Sequence, residues 1–162
     1  PIGLIPKRRT AMQIAAPDGA EVGGWPIVVD VQEEFYVKPV AGQLLLSPAN
    51  EDHDVPSDVQ PDELDIAICV ARVERAFDFR VGRIETRWAG LRSFVADKCP
   101  VAGYSAEVPG FFWLAGQGGY GIQTSPALGE LAAALVLGKP LPQAMVDEGV
   151  DLATLAPERL SA

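Results

Sequence analysis

An α+β fold is predicted, with an antiparallel sheet carrying one packed helix, followed by a short strand, a glycine turn and a second helix. Three observations lead there. Runs of strand-forming residues between positions 10 and 47 are broken by turn residues at close spacing. A single long apolar-striped segment runs from Pro61 to about Phe77. The stretch 110–138, GFFWLAGQGGYGIQTSPALGELAAALVLG, passes from an apolar run through glycines into an amphipathic pattern. The expected division is 1–109 for the sheet and its helix, 110–140 for the strand, glycine turn and helix, and 141–162 for a peripheral C-terminal segment.

Taken in order, Thr10 to Ala16 and Trp25 to Val31 read as strands, separated by the Pro17-Asp18-Gly19 turn and by Gly23-Gly24. Phe35 to Pro39 and Gln43 to Ser47 form a hairpin across Val40-Ala41-Gly42. Asn50 to Pro61 is a polar, proline-bearing loop. Pro61 suits the first turn of a helix, where its missing N–H costs nothing, and Asp62 and Glu63 complement the helix dipole. Along that helix Leu64, Ala67, Ile68 and Ala71 form one apolar stripe and Ile66, Val70, Val73 and Phe77 another, so cover on more than one side is expected. Arg80 to Trp88 alternates as a strand does, and Phe111 to Ala115 reads as a short buried strand of the parallel-sheet kind. Ser125-Pro126 is expected to start the helix Ala127 to Leu137, which Gly138 and Pro140 end. Trp88 and Trp113 are expected to pack at strand ends.

The 162 residues are 48% hydrophobic and 22% charged, which suits one ordinary domain. The formal net charge of −9 argues against a nucleic-acid surface. The longest apolar run, Leu131 to Leu137, is far too short for a transmembrane segment, and a soluble, cytoplasmic location is expected. Cys69 and Cys99 are too far apart for a C-x-x-C pair and are expected to be reduced and structural. His53 lies in the acidic loop Asn50-Glu51-Asp52-His53-Asp54, but no second histidine exists to complete a common ligand set, so no metal is expected.

Gly116, Gly118 and Gly121 satisfy G-x-G-x-x-G, with Gly119 as an extra glycine, so backbone amides can approach an anionic or electron-rich group. The following helix aims its positive end at the same place. An ordinary dinucleotide site also needs an acidic residue about 20 positions on, at a strand end. Here that position falls in Gly138-Lys139-Pro140-Leu141-Pro142, a helix stop and loop. The turn is therefore not the usual adenine-end fingerprint, and a turn that merely packs a strand on a helix is the alternative.

Several segments occur in an ordered series: PKRRTA at 6–11, FYVKP at 35–39, SPAN at 47–50, DVQPDELDIA at 58–67, WAGLRSFVAD at 88–97 and GQGGYGIQTS at 116–125. Through them the chain resembles the C-terminal half of the flavin-dependent D-amino acid oxidases and dehydrogenases and, within that family, the bacterial D-arginine dehydrogenases. The resemblance implies that residues from about Ile2 to Arg87 make most of a substrate domain, and that 110–140 is the closing strand and helix of an FAD-binding domain. FAD is the implied cofactor and a small-molecule D-amino acid the implied substrate. The N-terminal FAD-binding segment of such enzymes is expected to be a further partner not present in this chain.

The resemblance also assigns roles. Arg9 and Arg92 are implied to bind the substrate carboxylate, a task for which a planar, permanently charged guanidinium is suited. Tyr36 is implied to add a hydroxyl donor and Gly119 a carbonyl for the substrate amine. Gly118, Gly119, Tyr120, Gly121, Ile122 and Gln123 are implied to lie against the flavin, whose reduction builds negative charge that a helix start can stabilise. No residue is assigned as a catalytic acid or base. Glu33, just before Tyr36, is read either as ordering its loop or approaching a basic substrate, or as a solvated carboxylate. The implied activity is oxidation of a D-amino acid, basic or broad in preference, to its imino acid by hydride transfer to flavin. The alternatives are a glycine- or sarcosine-type amine oxidase and a non-catalytic fragment prone to self-association.

Overall fold

The computed structural model describes residues 1–160, so the last two positions of the expected 141–162 segment lie outside the described residues. The chain forms two compact units, one of Lys7–Leu91 and one of Pro1–Pro6 with Arg92–Ala162. The change of unit thus falls at 91/92, whereas the sequence reading set it at 109/110.

In the first unit the sheet runs in the order β2 (Val28–Val29), β3 (Tyr36–Val40), β4 (Gln43–Ser47), β1 (Ile5–Ala15), β5 (Asp52–His53), with β6 (Ile84–Phe94) also pairing with β1. The hairpin lies where expected: Tyr36 faces Ser47 and Val40 faces Gln43, with Ala41 and Gly42 at positive φ in the turn. The strand expected over Trp25 to Val31 shrinks to Val28–Val29, because residues 25–27 leave the preceding 3-10 turn without pairing and the chain turns again from Asp30.

Helix α1 (Glu63–Ala76) is capped by Asp62, whose carboxylate accepts from the Leu64 N–H at 2.8 Å, so Pro61 stands just before the cap rather than in the first turn. Only one of its two stripes is covered. Ile66, Cys69 and Val73 are buried against Met12, Ile14, Val37, Leu44 and Leu46, while Leu64 is 67% exposed and Ile68 is exposed as well. Phe77 closes that core edge-on to Phe35, with ring centroids 6.5 Å apart.

In the second unit β7 (Val101–Tyr104) and β8 (Phe112–Ala115) form a separate antiparallel pair with Val101 facing Ala115. β8 is therefore not a buried parallel strand. It is half-buried, with Leu114 exposed, and its partner is a strand that Pro100 and Gly103 hide from pattern reading.

Helix α2 (Gly121–Val136) starts six residues earlier than expected, with Pro126 inside it. Proline has no N–H for the carbonyl of Ile122 four residues back. The Ser125 hydroxyl donates to that carbonyl instead, at 2.8 Å, so the helix passes through. Leu128 and Leu131 of α2 pack with Ala102 and with Met145 of α3 (Gln143–Asp147). The segment after Leu141 is thus part of the unit rather than peripheral. Arg159 reinforces it, donating to both Asp97 carboxylate oxygens at 2.7 and 3.2 Å and to the Cys99 carbonyl at 2.7 Å.

Candidate functional site

The strand β1 presents three consecutive cations, and the pleat of the sheet sorts them. Lys7 and Arg9 share one face and both reach Glu51, at 3.3 and 3.4 Å. Arg8 points the other way, to Asp54 at 3.0 Å and Asp65 at 3.5 Å. Asp65 also accepts from the Asn50 amide at 3.0 Å. Its carboxyl is raised above the usual carboxylate range by burial first, then by Asp52, against the pull of Arg8. Arg9, expected to meet a substrate carboxylate, is therefore already engaged by a carboxylate of the chain itself.

Tyr36 opens β3, half-buried, its backbone paired with Val29 and Ser47. Its hydroxyl has no hydrogen-bond partner among the described residues. Glu33 sits at φ 57° in the preceding turn, its N–H donating to the Asp30 carbonyl at 2.8 Å, and is exposed. Trp88 is 43% exposed and does not pack as expected, because β6 is exposed on both faces from Glu85 to Trp88.

Arg92, the glycine turn and the start of α2 come together in the second unit. The Gly118 N–H donates to the Ser93 carbonyl at 2.9 Å, tying the turn to the end of β6. Gly118 lies at φ +53°, and a Cβ there would stand 2.5 Å from the ring of the buried Phe94. A Cβ on Gly119 would stand 2.7 Å from Nη1 of Arg92. Gly118 is thus demanded by backbone conformation and a ring, whereas at Gly119 a side chain would have to displace the flexible end of Arg92. Arg92 is half-buried, and its guanidinium forms no ion pair or hydrogen bond with the side chain or backbone of another described residue. Arg92 and Gly119 are brought together as the sequence implied, whereas Arg9 and Tyr36 belong to the other unit.

The start of α2 is open. Tyr120 occupies the cap position without a side-chain capping bond, and no acidic residue lies in the first turn. The Tyr120 N–H is spent on the Gln117 carbonyl, and Thr124 makes the first helical bond, to Tyr120, at 3.0 Å. The N–H groups of Gly121, Ile122 and Gln123 precede that bond and have no helical acceptor. Ile122 is 93% exposed and Tyr120 is exposed too.

Other candidate features separate from this site. A cavity of about 430 Å³ lies between the Ile14–Asp18 and Asp78–Arg83 segments and includes none of the predicted site residues. Among the described residues no group of three or more His, Cys, Asp and Glu is placed to hold a metal ion. No described helix is long and apolar enough to cross a membrane. Cys69 is buried in the core, which pushes its thiol up to about 12, whereas Cys99 is exposed and so not the packing residue expected.

The fold has relatives. The chain is similar in structure to L-amino acid deaminase from Proteus vulgaris with its specific insertion deleted (TM-score 0.70, 21% identity, 98% of this chain and 37% of that one). It is similar to glycine oxidase from Geobacillus kaustophilus (TM-score 0.73, 21% identity, 95% and 39%) and to L-proline dehydrogenase from P. horikoshii (TM-score 0.71, 20% identity, 99% and 41%). The chain spans less than half the length of each of these proteins. Residues 1–135 match the DAO family, FAD dependent oxidoreductase, and the chain belongs to that family.

FAD is the cofactor of that family, and the residues present fit part of such a group. An uncapped helix start without acidic residues, preceded by glycines, offers amides and no negative charge, which suits an anionic or electron-rich group. Gly119, Gly121, Ile122 and Gln123 are the residues whose amides remain for it, since those of Gly118 and Tyr120 are used within the turn.

Proposed function

We propose that the chain is the C-terminal, substrate-binding and flavin-capping portion of an enzyme that oxidises a D-amino acid. The observation that carries this reading is Arg92: a half-buried guanidinium beside the Gly119 backbone with no counter-ion among the described residues. A carboxylate-bearing ligand supplies the missing charge and fits the guanidinium's planar two-point geometry. The Gly119 carbonyl then accepts from the substrate amine. The resemblance also implies a substrate donor in Tyr36, whose hydroxyl is unpartnered among the described residues, and a carboxylate-binding role for Arg9, which Glu51 already engages.

Flavin, when bound, accepts the hydride that leaves the substrate Cα. The chain's own part is to fix the amino acid by its carboxylate so that the Cα hydrogen is presented in one orientation. Loss of the hydride from Cα and of a proton from the amine gives the imino acid, and water converts this to the 2-oxo acid and ammonia. The first-turn amides of α2 favour the charge that the ring gains. The resemblance supports a basic or broad side-chain preference. The names glycine oxidase and, for a further structural relative from Chelativorans sp. BNC1, iminodiacetate oxidase favour a second reading with a glycine or secondary-amine substrate.

The test uses the full-length protein that carries this sequence. Anaerobic bleaching of the flavin band is followed with D-arginine, D-alanine, their L-enantiomers, glycine and sarcosine. The expected result is bleaching by D-amino acids, and a fall in kcat/KM of about a hundredfold in Arg92→Ala, the cost of an unpaired substrate carboxylate. Bleaching by glycine and sarcosine alone would select the second reading. Unchanged kinetics in Arg92→Ala would remove the carboxylate role.

A further inference from the structure

Tyr36 opens β3, which β4 supports on one side over five residue pairs, while the other side has little support. Its partner strand β2 is two residues long, and Val28 and Val29 are both exposed. The short edge strand β2, and the turn that joins it to β3, are held in place by what fastens that turn.

The turn from Asp30 to Phe35 is built around its first residue. The Asp30 carboxylate accepts from the N–H groups of Gln32 (3.0 Å) and Glu34 (3.3 Å), and the Asp30 N–H donates to the Phe35 carbonyl at 3.0 Å. These bonds shape the turn but do not attach it to the helix. Arg72 of α1 does so twice at one residue. Its Nη1 donates to the Glu34 carbonyl at 3.0 Å, and its Nη2 stands 3.1 Å from the Glu34 carboxylate. Immediately beyond, Phe35 is buried against Phe77 at the end of the same helix. The helix therefore grips residues 34 and 35 directly before Tyr36, by a two-point charged bond and by a buried ring.

We propose that Arg72 is a positioning residue for the substrate site, clasping Glu34 to α1 so that Tyr36 is held in the orientation its hydroxyl uses. This rests on the reading of Tyr36 as a substrate contact. The two-point geometry matters. A guanidinium reaches the carbonyl and the carboxylate at once in a fixed plane, whereas an ammonium offers a single point of charge. Arg72 is 27% exposed at its side chain and Glu34 48%, so the pair is partly screened and its work is geometric more than energetic. Loss of the clasp frees the turn without removing any group that touches substrate.

The experiment uses the full-length enzyme with Arg72→Ala, Arg72→Lys, Tyr36→Phe and the Arg72→Ala/Tyr36→Phe double variant. Melting curves confirm folding, and hydrogen exchange is measured at the amides of Gln32, Glu33 and Glu34. Arg72→Ala is expected to raise KM for the amino acid about tenfold, the size of one lost substrate hydrogen bond, with kcat within about twofold. The three amides exchange faster, Arg72→Lys lies between, and the double variant is no worse than Tyr36→Phe alone. If Arg72→Ala does not fold, Glu34→Gln tests the same clasp, since it keeps the carbonyl acceptor and loses the ion pair. An unchanged KM in the Arg72 variants alongside a raised KM in Tyr36→Phe overturns the positioning role and leaves Tyr36 in the site. Fully additive effects overturn it as well. An unchanged KM in Tyr36→Phe overturns the substrate reading of Tyr36, and the positioning role with it.

Discussion

The two long helices of this chain begin in opposite ways. α1 starts at a built end: Asp62 caps the Leu64 amide, and Glu63 and Asp65 place negative charge in the first turn. α2 starts at an end with no side-chain cap and no acid, behind a turn of glycines. The free N–H groups of a helix start have the same needs in both cases, about half a positive charge and several unpaired donors. Where the chain satisfies them itself, the end is structural. Where it leaves them open beside a guanidinium without a counter-ion, the end is the one proposed to face a ligand. The contrast between Arg9 and Arg92 repeats the lesson, since Glu51 meets the first and no described residue meets the second.

The sharpest way to break this comparison is at the turn before α2. Gly118→Ala combines a left-handed backbone with a Cβ forced against Phe94, and a loss of about 2–4 kcal/mol in chemical denaturation is expected. A loss below about 0.5 kcal/mol would mean that the turn is not fixed as described.

A smaller effect on stability and a larger one on ligand is expected from Gly119→Ala. The obstructing atom is the flexible end of Arg92, which swings aside. Stability falls by no more than about 1 kcal/mol while substrate KM rises about tenfold. Titration of the variant with the amino acid checks this, and an unaltered KM would separate Gly119 from the site.

The two helix starts can also be exchanged in character. Asp62→Ala is expected to cost about 1 kcal/mol in thermal unfolding without loss of bound flavin. Tyr120→Asp supplies α2 with the cap it lacks and is expected to add about 0.5–1 kcal/mol while weakening flavin retention, because the new charge competes for the same amides. Flavin retention is read from the visible spectrum after gel filtration. If Tyr120→Asp holds flavin as well as the parent, the open end of α2 is not what the cofactor uses.

The smallest expected effect is a pH dependence at α1. Asp65 has its folded-state pKa raised above the ordinary 3.8, chiefly by burial. The folded chain thus takes up this proton at higher pH than the unfolded one. Its contribution to stability rises as pH falls through the folded value and levels off below the unfolded one. Denaturant titrations from pH 7 to 4 are expected to show this as a small rise of the parent relative to Asp65→Asn, superimposed on the loss that the lowered Glu74 and Asp97 carboxyls bring to both.

Local order was legible in the residues. Strand alternation and Ala41-Gly42 mark the hairpin, Pro61 with Asp62 and Glu63 ahead of an apolar period marks α1 to within two residues, and Gly116 to Gly121 mark the turn. Each depends on neighbours a few positions apart. Legibility failed where a long-range partner decided the outcome. β8 read as a buried strand because nothing in its four residues discloses that β7 pairs with it and leaves Leu114 exposed. The α2 start was misplaced because Pro126 looks like a first-turn residue until Ser125 is seen to satisfy the Ile122 carbonyl.

The sequence by itself determined the family, the glycine turn and the residue types suited to an amino acid carboxylate. Only the tertiary structure decided which guanidinium is engaged and which is left without a counter-ion. Arg9 and Glu51 are 42 residues apart, and the pleat of β1 that sends Lys7 and Arg9 to Glu51 and Arg8 to Asp54 exists only once the strand is paired. Arg92 meets Gly119 across 27 residues for the same reason: the approach depends on a chain closure that no short window of sequence contains.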